Sequence, residues 1–172
     1  SALKDMNIKH MNPHCLTLFE HVEDSASFHA IYRGATFRLF TTKTIIFKFL
    51  PLLLKLKRKS KNQNLNPMET PEFWKIIIDA YVVKFLERIH ETGKMPDACF
   101  IVFLLSDALG HKFGFDSNQY KEAIEFLDYM IGTIIYGLDD KKGNHVAGLK
   151  ESGLLDNIIW NFCTDHAGRR VY

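Results

Sequence analysis

One long apolar helix does most to limit how this chain can fold. Thr70 is a helix-capping residue, Pro71 suits the first helical turn, and Glu72 lies near the positive end of the helix dipole. The pattern continues to about His90 and ends at Gly93. Apolar side chains occupy nearly every face of this stretch, and a helix of that kind must be covered on more than one side. The rest of the chain therefore has to pack around it.

The other segments are also predicted to be helical. Apolar residues recur at helical spacing, and no Asn-Gly or Asp-Gly hairpin turn occurs. The predicted helices lie after Asn12–Pro13 (Leu16, Phe19 and Val22 inward), from Ser25 or Ser27 to Phe40, within 45–56, from Pro96–Asp97 to Gly110–His111, from Asp116 or Ser117 to about Tyr136, and beyond Gly148 (Leu155, Ile158, Ile159 and Phe162 inward). These helices, with no internal repeat, predict an all-α fold.

Composition excludes several classes of protein. A chain of 172 residues fits one domain, and a net charge of +2 gives no support for binding nucleic acid. The basic run 55–61 has no interleaved aromatic residue, as a protein that binds single-stranded nucleic acid would need. The apolar run before it is short and is interrupted by Pro51, so we predict no transmembrane segment. Three widely spaced cysteines indicate reduced thiols and a cytoplasmic protein. Because the chain begins with Ser-Ala and not with Met, flanking domains remain open; a homodimer is a separate possibility on which the sequence is silent.

Recognisable catalytic motifs are scarce. Ser106, Asp107 and His111 lie close in the sequence, but they do not form a nucleophile elbow, and a spacing of five residues separates Ser106 from His111 on a helix. His10 and His14 are four residues apart in a segment predicted to be a tail, without the glutamate of an HExxH metal site. This leaves His111 as the candidate metal ligand.

Two interpretations of His111 follow from its position at the end of an apolar helix and before the corner at Gly114. The simpler one is a histidine that interacts with the negative end of the helix dipole. The alternative is an imidazole in a dry slot between helices, where it would serve as the axial ligand of a haem iron.

Three stretches resemble a globin. GATFRLFTTKTIIFKFLPLL is similar to the second globin helix and the corner after it, and TPEFWKIIIDAYVVKFLERI is similar to the distal helix. LGHKFGFDSNQYKEAIEFLDYMI resembles the proximal histidine, its corner and the next helix. The resemblance implies a three-over-three helical sandwich over residues 25–172, preceded by a tail and first helix in residues 1–24, all within one domain. It also implies bound haem b.

The resemblance assigns roles to individual residues. His111 would be the proximal iron ligand, Phe49 would stack on the porphyrin, and Ile76 would take the distal position. The remaining haem contacts would be Ile77, Ala80, Phe115, Tyr120, Ala123 and Leu127. Because isoleucine cannot donate a hydrogen bond to bound dioxygen, this apolar distal side favours gas sensing (O2, NO or CO) or redox and nitrite chemistry over oxygen storage. The partner would be a diatomic gas or nitrite, and enzymatic activity is left undecided.

Two other functions remain open. The missing distal histidine and a corner one residue short are also typical of a haem-free globin-like sensor domain, in which His111 only caps its helix. An unrelated helical protein-interaction module could instead present the basic run 55–61 to a partner.

Overall fold

The protein has a mixed α/β fold in the part of the chain that the structure describes. The computed structural model describes residues 12, 14–28, 33–39, 50–51, 54–55, 58, 70–139 and 143–163. Their elements are β1 (Ser25–Phe28), β2 (Phe37–Leu39), α1 (Pro71–Thr92), β3 (Ala98–Ile101), α2 (Leu105–Phe113), α3 (Asn118–Tyr136), β4 (Leu138–Asp139) and β5 (His145–Val146). The prediction of an all-α, globin-like three-over-three sandwich is therefore wrong.

The described residues divide into two compact units. The first contains the described residues before position 65 together with Met95–Phe103, and so holds β1, β2 and β3. The second contains the described residues of 65–94 and those from 104 onward, and so holds the three helices with β4 and β5. The predicted boundary between residues 24 and 25 stays a prediction.

A three-stranded parallel sheet forms the first unit. β1 lies in the middle, with Ala26 opposite Phe37 on β2 and opposite Cys99 on β3. All four residues of β1 are buried, as in a central parallel strand covered on both faces. The serines of β1 do alternate with Ala26 and Phe28, but four residues are too few for this alternation to stand out from the helical spacing of the segment, and helices were therefore predicted from Ser25 and from Pro96.

Polar side chains fix the start of this sheet. Thr36 and Ser25 share three hydrogen bonds: the Thr36 hydroxyl accepts from the Ser25 backbone N–H at 2.9 Å and donates to the Ser25 carbonyl at 2.8 Å, and the Thr36 N–H donates to the Ser25 hydroxyl at 3.1 Å. On the other side, the Asp97 carboxylate accepts from the Asp24 N–H at 3.0 Å. These bonds set the register of β1 against both neighbours and satisfy the buried hydroxyl of Ser25.

A short 3-10 turn, Leu18–Glu20, replaces the helix predicted after Asn12–Pro13. Phe19 is buried as expected, but Leu16 is 55% exposed. Arg33 holds the turn, since its guanidinium Nε lies 2.8 Å from the Glu20 carboxylate and its carbonyl accepts the Thr17 hydroxyl at 2.7 Å. Arg33 also keeps the pKa of Glu20 below its usual value.

Helix α1 confirms the long helix predicted from its caps. Thr70 is the N-cap, Pro71 begins the helix, and Gly93 ends it with φ of 66°. Its buried side chains, most of them apolar, are Phe73, Trp74, Ile77, Ile78, Tyr81, Val82, Phe85, Leu86, Arg88 and Ile89. At about 100° per residue they span roughly 220° of the circumference, a face wide enough to contact more than one element. Both α2 and α3 pack against α1.

Helices α2 and α3 are joined by a tight corner. Gly114 ends α2 with φ of 89°, a conformation that side-chain-bearing residues rarely adopt. Ser117 then caps α3, with its hydroxyl accepting from the Tyr120 N–H at 3.2 Å. The predicted start near Ser117 and end at Tyr136 are confirmed. The antiparallel strands β4 and β5 follow α3, in a part of the chain where no strand was predicted.

The last predicted helix is not observed. Leu155–Asn157 form a short 3-10 turn, after which the backbone through Cys163 is neither helix nor strand. Ile159 is 97% exposed and Phe162 is 66% exposed, although both were predicted to face inward. The cysteines Cys15, Cys99 and Cys163 are not joined by disulfide bonds.

In the described ranges, no helix has both the length and the apolar character needed to cross a membrane.

Gly148 lies where the chain crosses back over the end of α3. A Cβ added there would come within 2.2 Å of the Gly137 nitrogen and 2.5 Å of the Ile135 carbonyl. Because both obstacles are backbone, we expect Gly148→Ala to lower the free energy of unfolding by about 1–3 kcal/mol. Urea denaturation measures this change. Gly132→Ala is the matched control, because a Cβ there meets nothing within 4 Å and the substitution should stabilise α3 by about 0.5–1 kcal/mol. Equal effects of the two substitutions would contradict the close approach of backbone at Gly148.

Candidate functional site

A carboxylate and an imidazole lie side by side on α2. Leu105, Leu109 and Gly110 are the buried positions of this helix. Asp107 in the first turn and His111 in the last are four residues apart, so their side chains are neighbours on one helical face. The buried positions orient the helix, and the Asp107–His111 pair follows from that orientation.

The pair is close and open to solvent. The His111 Nε2 lies 3.1 Å from the Asp107 Oδ1, with 62% of the histidine side chain and 37% of the aspartate side chain exposed. The Asp107 Oδ1 itself is buried. His111 therefore does not lie in a dry slot between helices, as the haem-ligand interpretation required. Its proximity to a carboxylate and its exposure favour contact with a polar ligand from solvent.

Two aromatic residues lie next to one another beside His111. The Phe115 ring meets the His111 imidazole edge-on, with ring centroids 6.0 Å apart, and contacts Tyr120 in the same way at 5.2 Å. Phe115 and Tyr120 were predicted to contact haem. Instead, the structure brings them together with His111 at the corner between α2 and α3.

The other predicted haem contacts lie on two helices that pack together. Ile77 on α1 and Ala123 on α3 are buried, whereas Ile76 and Ala80 on α1 and Leu127 on α3 are partly exposed. Their placement is that of helix-packing residues. Phe49 and His10 lie outside the described residues, and His14 is exposed. A ligand role for these positions stays a prediction that the structure does not test.

A second polar cluster surrounds His145 on β5. Its Nδ1 lies 2.8 Å from the Asp139 carboxylate, and its Nε2 lies 2.9 Å from the Glu151 carboxylate. Ionised carboxylates only accept hydrogen bonds, so both contacts are made at once only when the imidazole carries protons on both nitrogens. The hydrogen bond to Asp139, followed by the one to Glu151, raises the pKa of His145 above its usual value.

This cluster predicts a specific dependence of stability on pH. The pKa of His145 is higher in the folded protein than its unfolded value of 6.5. The stabilisation that the protonated imidazole gives the folded state is therefore complete below pH 6.5 and is lost as the pH rises through the pKa of the folded state. Urea denaturation between about pH 5 and 9 should show this decline. Asp139→Asn should remove most of it, while Asp128→Asn at an exposed position of α3 serves as control. A decline of unchanged size in His145→Gln would contradict this account.

Within the described ranges, no group of three or more His, Cys, Asp or Glu residues is arranged to hold a metal ion. The Asp107–His111 pair brings together only two such side chains. Sequence reasoning identified His111 but missed Asp107, which it weighed only as part of a triad with Ser106. The spacing of four residues on a predicted helix was the signal that could have found the pair.

The described part of the chain is thus an α/β protein with a helical carboxylate–imidazole pair at its surface. The profile of one family, described as Type I phosphodiesterase / nucleotide pyrophosphatase, matches residues 40–147. That match spans more than half of the sequence and includes α1, β3, α2 and α3. The chain belongs to the type I phosphodiesterase / nucleotide pyrophosphatase family. Comparisons with curated proteins and with solved structures gave no significant match.

The family match corrects the functional prediction. The resemblance to globins is wrong, because the matching family is one of phosphodiesterases and the described fold contains a parallel sheet. Haem-based sensing of a diatomic gas and haem redox or nitrite chemistry are therefore not the function indicated. The prediction of haem b came from the globin resemblance and loses its basis with it.

Proposed function

We propose that this protein hydrolyses phosphodiester or pyrophosphate bonds, with Asp107 and His111 as two ligands of a divalent metal ion. The observation that carries the proposal is the 3.1 Å approach of the two side chains inside the region that matches the family. The family indicates the class of reaction, and the Asp107–His111 pair is the candidate site at which it would occur.

The donor set suits zinc or a similar transition metal. Imidazole nitrogen and carboxylate oxygen both ligate Zn²⁺ at about 2.0–2.2 Å in tetrahedral sites. Two such ligands at a tetrahedral angle lie roughly 3.3 Å apart by simple geometry. The observed separation of 3.1 Å between the His111 Nε2 and the Asp107 Oδ1 is close to this value. The pair could thus receive an ion with little rearrangement of either side chain.

Each residue has a distinct part in binding. Asp107 supplies negative charge, and its buried Oδ1 is held near the imidazole. His111 supplies an imidazole nitrogen and leaves most of its side chain open to solvent, so an anionic substrate can approach from that side. In hydrolysis a bond forms between water oxygen and phosphorus while the bond to the leaving oxygen breaks. A bound divalent ion would offset the negative charge of the phosphoryl oxygens and favour ionisation of that water.

Hydrolysis of two chromogenic substrates tests the proposal. Bis(p-nitrophenyl) phosphate and a p-nitrophenyl ester of a nucleoside monophosphate are each incubated with the protein and Zn²⁺, with Zn²⁺ plus EDTA, or with Mg²⁺. We expect release of p-nitrophenol with zinc and its loss with EDTA. No release with either metal, or release that EDTA leaves unchanged, would overturn the proposal.

A further inference from the structure

The corner after α2 contains an unusually close packing of an aromatic ring on a glycine. Gly110 is buried, and a Cβ added there would come within 2.4 Å of the Phe115 ring. No residue with a side chain fits at position 110 unless this ring moves. The Gly114 corner, with φ of 89°, is what turns the chain so that Phe115 lies back on Gly110.

The Phe115 ring contacts two other rings. Its edge-to-face contact with Tyr120 has centroids 5.2 Å apart and an interplanar angle of 77°. Its contact with the His111 imidazole has centroids 6.0 Å apart and an interplanar angle of 69°. Edge-to-face pairs in this range of distance are attractive. Phe115 therefore connects the first turn of α3 to the imidazole of His111.

We propose that Phe115 is a positioning residue, which holds the His111 imidazole in the orientation that presents its Nε2 beside Asp107; the inference rests on the proposed metal-binding role of the pair. The His111 side chain is 62% exposed, so protein atoms cover only part of its imidazole. Asp107 fixes one end of the imidazole, and the Phe115 edge restricts its rotation. Because Gly110 has no side chain, the Phe115 ring can lie close enough to contact the imidazole.

Partners that orient a metal-binding histidine commonly change metal affinity by 10-fold to 100-fold when they are removed. Phe115 makes a ring contact instead of a hydrogen bond, so the lower end of that range is expected. Phe115→Ala should weaken zinc binding by about 10-fold. Gly110→Ala should act in the same direction, because the added methyl group displaces the Phe115 ring.

Isothermal titration with Zn²⁺ alone tests this inference on the full chain. Phe115→Tyr keeps the ring and should bind zinc like the unmodified protein, whereas Phe115→Leu fills apolar space without a ring and should bind like Phe115→Ala. Circular dichroism confirms that each variant is folded. Full affinity in Phe115→Leu would show that Phe115 only fills space and would overturn the inference.

His111→Gln separates this inference from the proposal on which it rests. If zinc binding is unchanged in His111→Gln, the metal-binding role of the pair is wrong. If His111→Gln weakens binding while Phe115→Ala binds zinc like the unmodified protein, the pair stands and the positioning role of Phe115 is wrong.

Discussion

Asp107→Asn and His111→Gln are each expected to lower kcat/KM for phosphodiester hydrolysis by about 100-fold to 1,000-fold. A metal ion contributes several kcal/mol of charge stabilisation in such reactions, and each 1.4 kcal/mol corresponds to a factor of about ten. Asp107→Asn removes the negative charge of one proposed ligand while keeping the side-chain shape, and His111→Gln removes the imidazole nitrogen of the other. Initial rates with bis(p-nitrophenyl) phosphate at a fixed zinc concentration measure the change.

The matched controls lie on α1. Asp79→Asn and His90→Gln make the same chemical changes at exposed positions, and neither should alter kcat/KM by more than about twofold. The double substitution of Asp107 and His111 should cost little more than either alone, because two ligands of one ion act as a unit. Wild-type kcat/KM in both single variants would remove the pair from the mechanism.

Phe85→Ala is expected to lower the free energy of unfolding by about 3–5 kcal/mol. Phe85 is 2% exposed and lies on the wide buried face of α1, the helix against which α2 and α3 pack. Truncation removes an apolar ring and leaves a cavity that neighbouring side chains fill only in part. Chemical denaturation followed by circular dichroism gives the value.

Two further variants at α1 calibrate that result. Phe85→Leu keeps most of the buried volume and should cost clearly less than Phe85→Ala. Glu91→Ala changes an exposed position near the end of the same helix and should stay within about 0.5 kcal/mol of wild type. A loss below 1 kcal/mol for Phe85→Ala would mean that the α1 face is not the core of its unit.

Helices α1 and α3 of the second unit could be predicted from the sequence because their ends carry local signals. Thr70 and Pro71 begin α1, Gly93 ends it, and Ser117 caps α3. These signals act through backbone groups within one turn, so they need no knowledge of distant packing. The same local signals could not show what α1 and α3 pack against.

The strands were missed for a physical reason. Ser-Ala-Ser-Phe in β1 and Ala-Cys-Phe-Ile in β3 are short, and they become strands by pairing with residues far away in the sequence. Each has only four residues, which is too few to distinguish the period of a strand from one turn of a helix. Such long-range pairing also explains why the predicted helix from Pro96 to His111 is in fact β3 followed by α2.

The candidate site was predicted in part. His111 was identified from its place before a glycine corner, but the ligand chemistry was taken from the order of helices, and capped apolar helices in that order are not specific to globins. Asp107 is the residue that changes the interpretation, because an imidazole beside a carboxylate suits a hydrated divalent ion better than a porphyrin iron.

X-ray absorption at the zinc edge of the zinc-loaded protein tests the central claim most directly. We predict nitrogen and oxygen ligands at about 2.0–2.2 Å, with an imidazole scattering signature that disappears in His111→Gln and persists in His90→Gln. An identical spectrum in His111→Gln, or no zinc retained by the unmodified protein, would contradict the assignment of Asp107 and His111 as metal ligands.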